Sequence, residues 1–294
     1  MPDEPFYDPQ ILSSYFDAYG EREWQRLVAT PVHEISLYIH HHYLQRYITA
    51  GARVLEIGAG AGRFTQILVG LGARVVAADI SFGQLELNRR HAAELGFSTG
   101  VEDWLQADIC DLRCFADASF DAVVAYGGPF SYVLDRRGTA LAECLRVLKP
   151  GGVLLLSVMC LWGSARSSLA GVLQGTPPEA NRRIIATGDI TPRTFPGRRD
   201  NFMHLFRSSE LRVWLEAAGL EVLALSASGC LVWPGNPQMD NVRGDAQIWE
   251  VLLSMELEAS ADPGCLDMGT HLIAVARFLS KGHGPRGGTQ RTGK

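Results

Sequence analysis

No apolar run in this chain approaches the roughly 20 residues that a bilayer-spanning helix needs; the longest, "GVLLLSVMCLWG" at 152–163, falls well short. Excess positive charge is also missing. Lys and Arg number 27 against 32 Asp and Glu, for a formal net charge of −5. That balance lacks the electrostatic footprint of a chain that wraps nucleic acid, so a small-molecule partner is expected, with neither nucleic acid nor membrane. Six cysteines are scattered at 110, 114, 144, 160, 230 and 265. The closest pair, Cys110 and Cys114, has no second pair and no histidine pair at zinc-site spacing, so no metal is expected and the thiols read as reduced and mostly buried. The opening "MPDEPFYDPQ" is acidic and proline-bearing, unlike a basic export leader, which makes a cytoplasmic location the expectation.

What the chain does have is a core and a rhythm. With 294 residues, 47% of them hydrophobic, it can bury a sizeable interior. Residues 11–48 read as helical, from Ile11, Leu12, Tyr15, Phe16 and Tyr19 and then from Ile35, Tyr38, Ile39 and Tyr43. From 53 onward, short apolar runs alternate with amphipathic stretches. "RVLEIG", "ARVVAAD", "WLQAD", "FDAVVAYG" and "GVLLLSVM" read as strands, separated by helices that include 138–148. Such runs predict a parallel sheet covered on both faces. The rhythm breaks over 160–207, where Gly, Pro and Arg cluster around one weak helix near 164–174. It resumes with a helix that Ser208 can cap, with Glu210 in its first turn, and with the strands "LEVLALSAS" and "THLIAVARF", between which a helix over 245–260 is expected. The tail 280–294 is basic and nearly free of apolar residues, and reads as disordered. One α/β domain over 1–279 is expected: a helical cap (1–50), a core (51–160) and insertions at 161–207 and 229–268.

The stretch "VLEIGAGAGRF" carries three glycines, Gly58, Gly60 and Gly62, but Arg63 stands where a dinucleotide fingerprint needs its third glycine. Glu56 precedes them, and a carboxylate there repels a pyrophosphate while welcoming a cationic amino group. Asp79 ends the second strand, where a carboxylate accepts both hydroxyl protons of a ribose. Asp108 ends the third, placed to receive an adenine amino group beside Ile109, with Asp103 and Asp111 as nearby alternatives. Ribose, adenine and an amino acid without phosphates make up S-adenosylmethionine.

Taken together, "LEIGAGAG", "AADIS", "QADICDL", "FDAVVAYGGPFSYVLD" and "LRVLKPGGVLLLSVM" closely resemble the class I S-adenosylmethionine-dependent methyltransferases, in the family's order over about residues 50–160. The resemblance implies a Rossmann-like, seven-stranded mixed sheet with helices on both faces, its last strand inserted antiparallel, plus the N-terminal helical segment and substrate-side insertions. It implies that Gly58, Ala59, Gly60 and Gly62 approach the methionine and ribose portion, and that Glu56 lies near the amino group. Asp79 would bind the ribose and Asp108 the adenine, with Ile80 and Ile109 on the ring faces and Ala125 and Tyr126 facing the sulfonium. Arg63 either reaches the cofactor carboxylate or faces solvent.

The family has no universal catalytic residue, so the chemistry is sought near the strand ends. His204, before the penultimate helix, is the candidate base, against a purely structural role. Tyr15, Tyr19, Tyr132 and Trp162 are candidate acceptor contacts. Phe195, Phe202 and Trp233 suit an apolar acceptor or a homodimer contact, and Arg193, Arg198 and Arg199 an acidic acceptor or a solvated loop. His40, His41 and His42 occupy consecutive helix positions that share no face, and read as partly exposed surface. The expected function is methyl transfer to an oxygen or nitrogen of a small molecule. The alternatives are a protein or tRNA acceptor, or a non-catalytic S-adenosylmethionine-binding partner subunit.

Overall fold

The computed structural model describes residues 7–191 and 202–279. Among these residues nine strands follow in chain order: β1 (Arg53–Ile57), β2 (Arg74–Asp79), β3 (Val101–Gln106), β4 (Phe120–Ala125), β5 (Leu148–Met159), β6 (Asp189–Ile190), β7 (Met203–His204), β8 (Leu220–Ala227) and β9 (His271–Phe278). Seven of them form one sheet in the order β3-β2-β1-β4-β5-β9-β8, while β6 and β7 pair separately. The pairs from β3 across to β5 are parallel, and β9 runs antiparallel between β5 and β8. The seven-stranded mixed sheet is the one that the family resemblance implies, with β9 as its antiparallel strand.

Burial explains the strand texture. Val54, Leu55, Val75, Ala77, Val123, Val124 and Leu154–Leu156 are sealed from solvent, because helices cover both faces. On one face the helices Arg137–Val147 and Ser208–Ala217 contribute Leu141, Cys144, Leu211 and Leu215 to the core. On the other, Pro31–Tyr47, Arg63–Gly70 and Ala246–Ala261 bring Ile35, Ile39, Leu44, Leu68 and Leu253 together. Strand order reverses between β1 and β4, so their C-terminal ends open a crevice, the usual place for a ligand in such sheets.

Several details differ from the sequence expectation. The third strand starts at Val101 and ends at Gln106, so Asp108 lies two residues beyond it, in a turn that bridges to Asp111. The segment after β5 holds three helices, Leu161–Ser167, Leu169–Gly175 and Pro178–Thr187, in place of one. Pro178 is tolerated at the start of the last because the first turn has no intrahelical use for its N–H, and Gly188 at φ 81° stops it. Ser208 does not cap its helix; its hydroxyl donates to Asp267 at 2.8 Å. The expectations for Arg193, Phe195, Arg198, Arg199 and the tail 280–294 lie outside the described residues.

Candidate active site

The glycine turn is stitched to β2. The Gly58 and Ala59 amides both donate to the Ala78 carbonyl, at 2.8 and 3.0 Å. Gly58 has φ 79°, and a Cβ there would come within 2.6 Å of Pro129 Cγ, so only glycine fits. The Gly60 and Ser81 amides donate to the two oxygens of Asp79, each at 2.8 Å. Burial pushes the Asp79 carboxyl up to about 6, opposed by these two hydrogen bonds.

Glu56 sits beneath the turn. The Thr65 hydroxyl donates to it at 2.6 Å, and Asn88 Nδ2 donates to Thr65 at 2.8 Å while reaching the Gly60 carbonyl at 3.3 Å. Burial pushes Glu56 up to about 8, against the Thr65 hydrogen bond. Gly62 packs against Asn88, which leaves no room for a Cβ.

A narrow cleft of about 80 Å³ opens over this frame. It gathers Gly58, Gly60, Asp79, Ile80, Asp108, Ile109, Tyr126 and Tyr132 from the sequence-predicted set. Glu56, Ala59, Gly62 and Ala125 are not on its wall; Ala125 is buried in the sheet. The helix Pro9–Tyr19 roofs the cleft through Leu12 and Phe16, with Tyr7 just before it. Asp17 ties that helix down by accepting from the Ser81 hydroxyl at 2.5 Å and the Gly83 amide at 2.9 Å. Tyr15 is exposed and Tyr19 half-buried, and neither lines the cleft; they stack on one another, centroids 6.1 Å apart. The helix thus turns Leu12 and Phe16 toward the cleft, and the candidate contacts Tyr15 and Tyr19 away from it.

The cleft residues fit a ribose and adenine. A carboxylate, Asp79, stands where hydroxyls would donate, and Ile80 and Ile109 provide apolar walls. Three lining groups are buried without a hydrogen-bond partner among the described residues: the Tyr7 and Tyr126 hydroxyls and Gln84 Oε1. Burial and then the Asp108 charge hold the Tyr7 hydroxyl well above its usual range.

A second cavity, about 360 Å³, meets the cleft at Gly127. His33, Ser36 and His40 form one side; Gly229, Val232 and Trp233 another; Met268 and His271 a third. Among the described residues no Asp or Glu lines it, whereas Arg26 and Arg166 do. The reading of the histidine run as surface needs correction. His41 is exposed, but His40 is 4% exposed, because with Ser36 and Leu44 it forms a row at helical spacing along an inward face. His40 Nδ1 lies 2.7 Å from the Ser36 carbonyl, and its ring packs against Tyr126 and Phe64.

His204 is drawn elsewhere. Its Nδ1 is 2.7 Å from Asp189 and its Nε2 2.7 Å from Glu210, so both ring nitrogens are occupied, and it lines neither cavity. The expected base is a pin between the β6–β7 pair and the following helix. Arg63 lies over the Trp24 ring, 3.6 Å from its centroid, and donates to the Trp24 carbonyl. Trp162 is exposed beneath the Arg207 guanidinium, and Phe202 is buried beside Leu12 and Leu134.

Residues 55–156 match the methyltransferase domain family. The chain is 44% identical over 107 residues to a demethylmenaquinone methyltransferase of Clavibacter sepedonicus, a match covering 36% of this chain and 41% of that protein. Over 212 residues it is 28% identical to a ubiquinone biosynthesis O-methyltransferase of Xanthomonas axonopodis pv. citri, covering 72% and 77%. Its fold is also that of a Burkholderia thailandensis 1,6-didemethyltoxoflavin-N1-methyltransferase solved with its namesake compound and S-adenosylhomocysteine. That likeness has a TM-score of 0.56 at 18% identity and covers 95% of this chain and 93% of the other.

Proposed function

The chain belongs to the class I S-adenosylmethionine-dependent methyltransferases, and from that premise we propose that it methylates an oxygen or nitrogen atom of a small molecule held in the 360 Å³ cavity. The observation that carries this reading is Gly127, common to the wall of the cleft and the wall of that cavity. A donor in one and an acceptor in the other would meet there. Cavities of about 300–1,000 Å³ suit small organic ligands, which favours a small acceptor over a protein or tRNA. The relatives' names, with demethylmenaquinone and ubiquinone in them, point the same way.

When bound, S-adenosylmethionine supplies a sulfonium methyl for in-line displacement. The chain's own part is positioning. Asp79 takes the ribose hydroxyls, Asp108 the adenine amino group, and Ile80 and Ile109 the ring faces. Gly58 and Gly60 let backbone approach the ligand, Glu56 lies under the methionine end, and Tyr132 closes the wall beside Phe16, ring centroids 5.6 Å apart. Leu12 and Phe16 exclude water from above.

Titration calorimetry with S-adenosylmethionine and S-adenosylhomocysteine tests the reading, on the native chain and on Asp79→Ala. Losing hydrogen bonds to a carboxylate should weaken affinity by about 1.5–3 kcal/mol, roughly ten- to hundredfold. A product-free native chain that binds neither ligand ends the proposal. Methyl transfer to RNA or protein, with none to any small acceptor, would replace its substrate class.

A further inference from the structure

We propose that Nε2 of His40 takes the proton from the hydroxyl of an oxygen acceptor bound in the 360 Å³ cavity, and that this acceptor is neutral or anionic, not an ammonium. The inference deepens the methyltransferase reading and rests on it.

The tautomer of His40 follows from its partner. A carbonyl oxygen only accepts, so the nitrogen 2.7 Å from Ser36 O carries the hydrogen. Nε2 therefore holds the lone pair, and it has no hydrogen-bond partner among the described residues. The ring is fixed on both flanks: by Phe64 of the helix after the glycine turn, at 5.4 Å, and by Tyr126 at the end of β4, at 4.7 Å. Tyr126 precedes Gly127, the residue shared with the donor cleft. The imidazole thus stands beside the junction at which an acceptor atom and a methyl group would meet, within a wall that keeps it from bulk water.

The surroundings select for charge. The groups facing His40 are Arg26, His271 and Tyr126, with His33 acting on His271 from the same cavity wall. Arg26 is itself paired with Glu23. His271, with its ring centroid 6.5 Å from that of His40, is held neutral by burial and then by His40 and Arg26. Burial likewise keeps His40 down at about 4, so it enters the reaction unprotonated at neutral pH. Arg166 donates to the Met268 carbonyl and makes no ion pair among the described residues. With no carboxylate on the wall among the described residues, an ammonium would lose its water and gain no counter-charge from them, whereas a phenol or a phenol carrying a carboxylate meets only neutral or positive groups.

The step balances. The acceptor oxygen forms its bond to carbon, the carbon–sulfur bond breaks with its electron pair remaining on sulfur, and the hydroxyl proton moves to Nε2. One positive charge is lost at sulfur and one appears on the imidazole, which, having no carboxylate beside it, gives its proton up to water that enters as the product leaves.

The test uses three matched phenols on the native chain: 4-hydroxyphenylacetate, 4-ethylphenol and tyramine. Calorimetry in the presence of S-adenosylhomocysteine should show the first two binding at least tenfold more tightly than tyramine. Equal or preferred binding of tyramine overturns the charge assignment. Labelled methyl transfer to whichever phenol binds should fall on the order of a hundredfold in kcat for His40→Gln, the scale of a positioned base, with phenol and S-adenosylhomocysteine affinities within about threefold of native. A native-like kcat assigns His40 to structure only. His40→Ala supplies an independent reading: added imidazole should restore its rate, and failure of rescue in a folded, ligand-binding variant counts against the proton transfer. If S-adenosylhomocysteine binds but no phenol is bound or methylated, the acceptor class falls and the methyltransferase reading stands. If S-adenosylhomocysteine itself does not bind, the underlying reading falls.

Discussion

The Gly60 amide donates to Asp79 at 2.8 Å, so one carboxylate both fastens the glycine turn and presents charge to the cleft. This double use makes ligand binding sensitive to acid. Burial raises Asp79 to about 6, and a ribose hydroxyl is best received by the ionised form. S-adenosylhomocysteine affinity should therefore fall as pH drops through about 6, by at most about tenfold per pH unit for one proton. Calorimetry between pH 5 and 8 measures it; an affinity that does not change across that range would separate Asp79 from the ligand.

Gly58 tolerates no side chain for two separate reasons, its φ of 79° and the 2.6 Å approach to Pro129 Cγ. Gly58→Ala should cost about 1–3 kcal/mol of stability from backbone strain alone. It should also displace Pro129, which lines the cleft, and so weaken S-adenosylhomocysteine more than the stability loss explains. Chemical denaturation and calorimetry on the same variant separate the two effects. A variant with native affinity would show that the turn and Pro129 adjust without consequence for the site.

These two sites were legible because local chemistry fixes them. A strand ending in Asp79 and a turn rich in glycine dictate their own geometry. Asp108 is right by residue type but lies past its strand, because β3 ends at Gln106 opposite Asp79 and the chain then turns through the Asp108–Asp111 bridge. His40 was read as surface because its burial is decided far away in sequence. Helix Ala246–Ala261 and β9 complete the face against which Pro31–Tyr47 packs. His204 looked available for chemistry because its partner Asp189 reaches it only through the β6–β7 pairing across the insertion.

His204 offers a pH test of opposite sign to Asp79. Burial disfavours its charged form, but the hydrogen bonds to Asp189 and Glu210 outweigh that, and its pKa is raised above 6.5. A raised folded-state value means the stabilisation is fully present below 6.5 and is lost as pH rises through that higher value. The thermal midpoint of the native chain should thus decline as pH rises above 6.5, relative to His204→Gln, whose midpoint lacks this component. Methyl transfer and S-adenosylhomocysteine binding should change little in the variant. A large loss of kcat with intact stability would return His204 to the chemistry.

Glu256 fixes one wall of the 360 Å³ cavity. Its side chain is fully buried and accepts the amides of Cys230, Leu231 and Val232, at 2.7, 3.1 and 2.7 Å. Three consecutive N–H groups aimed at one carboxylate fix the segment that carries Gly229 and Val232 to the cavity wall. Glu256→Ala leaves all three donors buried and unmet, at a cost of about 3 kcal/mol or more. Glu256→Gln should cost less, since its carbonyl oxygen still accepts while its NH₂ faces donors that it cannot satisfy. Because the cleft lies on the far side of Gly127, S-adenosylhomocysteine affinity should survive in Glu256→Gln while affinity for the acceptor phenol drops. Parallel losses of both ligands would mean that the 229–232 segment supports the whole site and not the acceptor cavity alone.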